Sequence, residues 1–137
     1  PHDEYGAHYA ELDELLARSD YVSINVPLTE STVGMIDEKI ISKMKDGAIL
    51  INTARSKIVD TTALVNALKS GKLSSAAVDV FDSEPCTDSP LMGLPNVVLT
   101  PHTAPFTKEN FREMNKRAAK SVIEFFNGTL DSRYLIG

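Results

Sequence analysis

The chain has a single cysteine, Cys86, in 137 residues. One cysteine cannot form an internal disulfide or a multi-cysteine zinc site, and it fits a reducing compartment. No apolar run approaches the roughly 18 residues that a membrane-crossing helix needs. No secretory signal opens the sequence. Together these point to a cytoplasmic protein with no membrane partner. Basic residues are few and scattered: 14 Lys and Arg stand against 19 Asp and Glu, for a net charge of -5. Without a Lys/Arg run, no nucleic-acid surface is expected. There is no internal repeat and no low-complexity stretch. Histidine is scarce too, with three in all. His2 and His8 lie in the unpatterned start PHDEYGAHYA and receive no role. No metal centre is expected. Asn127-Gly128-Thr129 matches a glycosylation sequon, which one cysteine and no signal mark as chance.

What is present is an ordinary domain composition, 42% hydrophobic and 24% charged. A chain of this size buries roughly 68–70% of its unfolded surface, enough for a real core. In ELDELLARSD (11–20), Leu12, Leu15 and Leu16 recur at helical spacing. YVSINVPL (21–28) is rich in strand formers and is stopped by Pro27. Asp37 is placed to cap a helix with Ile40, Ile41 and Met44 on its apolar face, ended by Asp46-Gly47. AILIN (48–52) is a continuous apolar run with a polar end, the pattern of a strand buried on both faces. Asp60 or Thr61 caps TALVNALKSGKL, with Leu64, Ala67 and Leu68 inward and Gly71 closing the helix. SSAAVDVF (74–81) and NVVLT (96–100) read as further strands, the second after a Pro-rich loop. The longest helix runs from Thr107 to Phe126, with Phe111, Met114, Ala118, Val122 and Phe125 on one face and Asn127-Gly128 at its end.

Strands alternating with helices predict right-handed βαβ units and a parallel sheet with helices on both faces, a Rossmann-like α/β fold. In such sheets ligands lie outside the carboxyl ends of the strands. Residues just past those ends are therefore the candidates. Thr53, Ala54 and Arg55 follow one strand, Asp79 and then Glu84 another, and His102, in TPHTAPFT, the last. An arginine grips a carboxylate with two parallel hydrogen bonds and polarises a neighbouring carbonyl. A histidine passes protons near neutral pH, and a carboxylate beside it fixes its tautomer and favours its charged form. These parts suit reduction of a 2-keto acid. Each also has a plainer reading: Arg55 as a surface residue, Asp79 as a turn or cap, Glu84 before Pro85 as loop chemistry, His102 as a packed turn residue. Their shared place at strand ends is what favours chemistry.

At these residues the sequence resembles the D-isomer-specific 2-hydroxyacid dehydrogenases. Four blocks carry the resemblance in order: LDELLARSDYVSINVPLTEST, GAILINTARSKIVD, AAVDVFDSEP and LPNVVLTPHTA. The resemblance implies an NAD-dependent enzyme that moves a hydride between NAD(H) and a 2-keto/2-hydroxy acid pair, in a parent homodimer. It implies that Arg55 orients substrate, His102 is the acid/base and Glu84 pairs with His102. It also implies cofactor contacts from Val26, Pro27, Thr32, Thr53, Ala54, Arg55, Asp79, His102 and Ala104, with Asp79 near the nicotinamide. Two other roles on the same fold are an NAD-sensing, corepressor-like binding protein and a formate- or phosphite-type dehydrogenase.

The sequence departs from the family in three places. The family usually has glycine after the arginine, where Ser56 and Lys57 stand here. It often has glycine two residues past the histidine, where Ala104 stands, followed by Pro105 and Phe106. And G-x-G-x-x-G, the turn that cradles a dinucleotide pyrophosphate, occurs nowhere. Residues 1–137 are thus expected to form part of an NAD-binding domain, lacking its first strands, the glycine-rich turn and the substrate domain. The strands at 21–26, 47–52, 75–80 and 96–100 are expected to form one contiguous sheet with a bare edge.

Overall fold

The computed structural model describes residues 6–134, so His2 lies outside the described residues. The chain divides into two compact units, Pro1–His102 and Thr103–Gly137. The first contains helix α1 (Leu12–Arg18), strand β1 (Tyr21–Ile24), helix α2 (Glu38–Lys43), strand β2 (Ala48–Asn52), a 3-10 turn at Ser56–Ile58, helix α3 (Thr61–Ser70), and strands β3 (Leu73–Val78) and β4 (Val97–Leu99). The second contains helix α4 (Lys108–Phe126) and a 3-10 turn at Ser132–Tyr134.

The four strands form one parallel sheet in the order β1-β2-β3-β4. This is the contiguous sheet the alternation predicts. β1 stops at Ile24, short of the expected 26. The Asn25 side chain turns back onto Ser23, donating to its carbonyl at 3.3 Å, and Pro27 brings no N–H.

Local chemistry starts the helices where expected, but α2 stops at Lys43, before the expected Asp46-Gly47, because Met44 turns to extended backbone while its N–H bonds the Ile41 carbonyl. Asp37 caps α2 by accepting from the Ile40 N–H at 2.8 Å. At α3 the choice falls on Asp60, whose carboxylate accepts from Thr62 at 2.8 Å and Ala63 at 3.0 Å. Gly71, at φ 79°, takes the left-handed position that ends α3.

Register puts Val22, Leu50 and Ala76 side by side on one face, followed by Ile24, Asn52 and Val78. All six are buried. Against this face pack Ala63, Leu64, Ala67 and Leu68 of α3, Ile41 of α2 and Leu16 of α1. The opposite face carries Tyr21, Ser23, Ile49, Ile51, Ala77 and Val98. There Tyr21 is 67% and Val98 63% exposed, and Ile49 and Ile51 are half-buried.

The flanking helices expected from sequence are present, but those of the first unit lie in one layer. α1 touches α2, and α2 touches α3. Two successive crossovers of the same hand between neighbouring strands place both helices on the same side. For the same reason AILIN is covered on one face and not on both. Leu12 and Leu15 remain exposed, leaving Leu16 as the one buried side chain of α1.

In the second unit Thr107 caps α4, accepting from the Asn110 N–H at 3.1 Å. The expected apolar face of α4 exists as a pattern, yet none of its residues is buried. Phe106 and Phe111 meet edge to face, 6.1 Å apart.

Candidate active site

All the candidate residues but Ala104 follow the four strand ends of the first unit. At the end of β2, Asn52 occupies the buried parity of the strand and is 2% exposed. Its Oδ1 accepts from the Ala54 N–H at 3.1 Å, and its Nδ2 donates to the Arg55 carbonyl at 3.0 Å. One amide thus shapes the turn that presents Arg55. The arginine is exposed, its Nη1 donating to the Ala54 carbonyl at 2.6 Å. Among the described residues no carboxylate lies within ion-pair distance of it.

Val26, Pro27, Thr53, Ala54 and Arg55 line one open groove of about 550 Å³, with Asn25 and Leu28. Thr32 is not in its lining. Its hydroxyl donates to the Pro27 carbonyl at 2.8 Å and accepts from the Thr29 N–H at 2.8 Å, so it holds the loop that forms the groove wall. Gly34 and Ile36 tie that loop to the arginine turn by donating to the Lys57 and Ile58 carbonyls at 2.8 and 2.9 Å.

At the ends of β3 and β4 the geometry is tighter. Asp79 is 2% exposed. Its N–H donates to the Asn52 carbonyl at 3.0 Å, and its Oδ1 accepts from the Thr100 hydroxyl at 2.5 Å. His102 has φ 56°, the one positive φ outside glycine among the described residues. Such a backbone costs of order 1–3 kcal/mol and persists where its surroundings over-determine it. Here Pro101 precedes it and its N–H donates to the Thr100 carbonyl at 3.0 Å. Its Nδ1 meets Glu84 Oε2 at 2.7 Å. The other oxygen, Oε1, accepts from the Phe81 N–H at 3.0 Å.

The hydrogen bond from the His102 ring, and next that from the Phe81 N–H, hold the Glu84 carboxyl below its ordinary value. The carboxylate therefore stays ionised and acts as acceptor, which places the ring hydrogen on Nδ1 and leaves proton exchange to Nε2.

Of the residues singled out by sequence, His102 and Glu84 are in direct contact, and the five groove residues are together. Asp79 bonds Thr100 and is buried, away from solvent. Ala104 belongs to the second unit. Asn52, Thr100 and Phe81 were missed. A signal existed for Asn52: a polar residue at the buried parity of an apolar strand must have a partner. Thr100 and Phe81 act through geometry that no spacing reveals.

The sequence model described as D-isomer specific 2-hydroxyacid dehydrogenase, NAD binding domain, matches residues 1–104. The chain belongs to this family. The glyoxylate reductase of Thermococcus litoralis is 45% identical over 128 residues, 93% of this chain and 39% of that protein. The D-lactate dehydrogenase of Lactobacillus jensenii, solved with NAD+, superposes with a TM-score of 0.84 at 33% identity, over 100% of this chain and 45% of that one. The D-lactate dehydrogenase of Aquifex aeolicus, complexed with NAD and lactic acid, gives 0.78 at 40% identity, over 93% and 43%. The chain thus spans about two-fifths of the length of the dehydrogenases it matches. No helix among the described residues is long and apolar enough to cross a membrane.

Proposed function

We propose that this chain carries the catalytic residues of an NAD-dependent oxidoreductase that interconverts D-2-hydroxy acids and 2-keto acids. The observation that carries the reading is the 2.7 Å contact of His102 with an ionised Glu84, at strand ends that also present an exposed Arg55. In this reading Arg55 binds the substrate carboxylate with its fork of donors. His102 gives a proton from Nε2 to the carbonyl oxygen during reduction and takes it back during oxidation. Glu84 holds the ring at Nδ1 and stabilises the imidazolium before the proton leaves.

The groove suits the nicotinamide end of the cofactor. Val26 and Leu28 offer partly exposed apolar surface, and Asn25 and Thr53 offer polar groups beside it. Val26, Pro27, Thr53 and Ala54 would hold that end, with Thr32 bracing the wall and Asp79 fixing the strand ends behind it. When bound, the nicotinamide supplies or accepts the hydride. The sequence has no glycine-rich turn, so the pyrophosphate is not held by these residues.

We read residues 1–137 as part of the NAD-binding domain, within an enzyme more than twice as long. The same reading includes Ala104 near the cofactor, a homodimeric whole enzyme and a cytoplasmic setting.

The test is turnover of glyoxylate, pyruvate and hydroxypyruvate with NADH. His102→Asn is expected to lower kcat by about 10²–10⁴, the usual worth of a positioned proton donor. Equal turnover in the variant sinks the acid/base role, and no turnover of any keto acid by the whole enzyme sinks the reading; residues 1–137 by themselves, without the glycine-rich turn and substrate domain, are expected to show little or none.

A further inference from the structure

We infer that Ser56 and Asp82 form a positioning clamp that sets the spacing between Arg55 and His102. The inference rests on the dehydrogenase reading above. The Ser56 hydroxyl donates to Asp82 Oδ1 at 2.8 Å, joining residues 26 apart in sequence. Ser56 follows Arg55 directly, and Asp82 lies two residues before Glu84. Among the described residues this is the one side-chain hydrogen bond that joins residues 53–58 to residues 80–86.

The deeper ties do not do this work. Asp79 reaches Asn52 through its N–H and Thr100 through its carboxylate, and these fix the strand ends. Beyond Asp79 the loop bridges a small cavity of about 180 Å³, lined by Asn52, Ser56, Thr61, Val80, Phe81 and Asp82 among others. Val80 is buried and Phe81 packs against the core, but Asp82, Ser83 and Glu84 beyond them are exposed, so a directional bond has more to do there than in a solid core.

The functional consequence follows from the division of labour. Arg55 grips one end of a small acid, and His102, steered by Glu84, serves the adjacent carbonyl. The two groups stand on different loops, so their separation is only as well defined as the link between those loops. A misplacement of about 1 Å at a reacting centre can cost on the order of 10²-fold in rate. Ser56 and Asp82 are therefore positioning residues.

The test uses Ser56→Ala, Asp82→Ala, the double variant, Ser56→Thr and Asp82→Asn in the whole enzyme. Kinetics with NADH and a keto acid are paired with amide hydrogen exchange over residues 53–58 and 80–86. Each alanine variant is expected to lose about two- to tenfold, mainly in kcat, the range of one net hydrogen bond. The double variant should lose no more than either single one. Thr, which keeps the hydroxyl, and Asn, which keeps the acceptor, should restore most of the loss. Both segments should exchange faster in both alanine variants. Additive losses, no rescue, or unchanged exchange of the partner segment each overturn the clamp. If the whole enzyme reduces no keto acid, the dehydrogenase reading has failed on its own account. Exchange then judges the clamp alone: faster exchange of both segments supports it and unchanged exchange rejects it.

Discussion

Glu84 is engaged at both oxygens, by His102 at 2.7 Å and by the Phe81 N–H at 3.0 Å. Both partners favour the charged carboxylate, which is why its folded value lies below the usual one. A depressed carboxylate stabilises the fold above the unfolded value of about 4.3, and that contribution is lost as pH falls through the lower, folded value. The pair is solvent-exposed, so its share of stability is small. Its effect belongs to the pH profile instead. The acid limb of keto-acid reduction that Glu84 controls is expected below about pH 4.3. Glu84→Gln should abolish that limb and lower kcat across the range. A Gln variant with an unchanged profile from pH-jump stopped-flow kinetics would separate Glu84 from the chemistry.

Among the elements, the end of β2 decides the most. Its alternate residues Ala48 and Leu50 are buried, and the same parity delivers Asn52 into the interior. There the amide bonds the two peptide groups that turn the chain toward Arg55. Asn52→Ala removes the partner of a part-buried N–H and of a carbonyl. The expected cost is about 1–3 kcal/mol in urea unfolding, the penalty of an unsatisfied buried group. A larger proportional loss is expected in KM for the keto acid, since the Arg55 turn loosens. Loss of stability with no change in KM would confine Asn52 to a structural role. The helix boundaries needed no such tertiary help. Asp37, Asp60, Thr107 and Gly71 each work within a few residues of chain; Asp37 and Gly71 do what the sequence predicts, Asp60 is one of its two cap candidates, and Thr107, read as the first residue of α4, is its cap.

The first unit buries one face of its parallel sheet against α1, α2 and α3. Leu50 is 1% exposed and lies on the face that α1, α2 and α3 cover, while its neighbour Ile51 points to the other face and is half-buried. Leu50→Ala is expected to cost about 2–5 kcal/mol, as for other filled core positions. Ile51→Ala should cost clearly less by the same denaturant measurement. Equal costs would mean that the second face is covered in solution. The sequence pattern misled here for a physical reason. A continuous apolar run records what a strand tolerates on both faces, and whether a second layer covers it depends on which chain segments pack there.

Much of this protein was determined by sequence alone, because the decisive physics is local. Apolar periodicity set four strands and four helices, caps set helix ends, and the alternation implied parallel pairing. The rule that ligands gather past strand ends pointed to Arg55, Glu84 and His102. Tertiary structure decided the rest, because it concerns partners far apart in the chain. It placed Glu84 on Nδ1 of His102, 18 residues away, and among the described residues left no carboxylate within ion-pair distance of Arg55. It assigned Thr32 to bracing a loop and Asp79 to holding Thr100. It also turned Ser56 from a departure at one position into one end of a 26-residue bridge. A hydrogen bond between such residues leaves no periodic trace, since it depends on where two loops come to rest above a folded sheet.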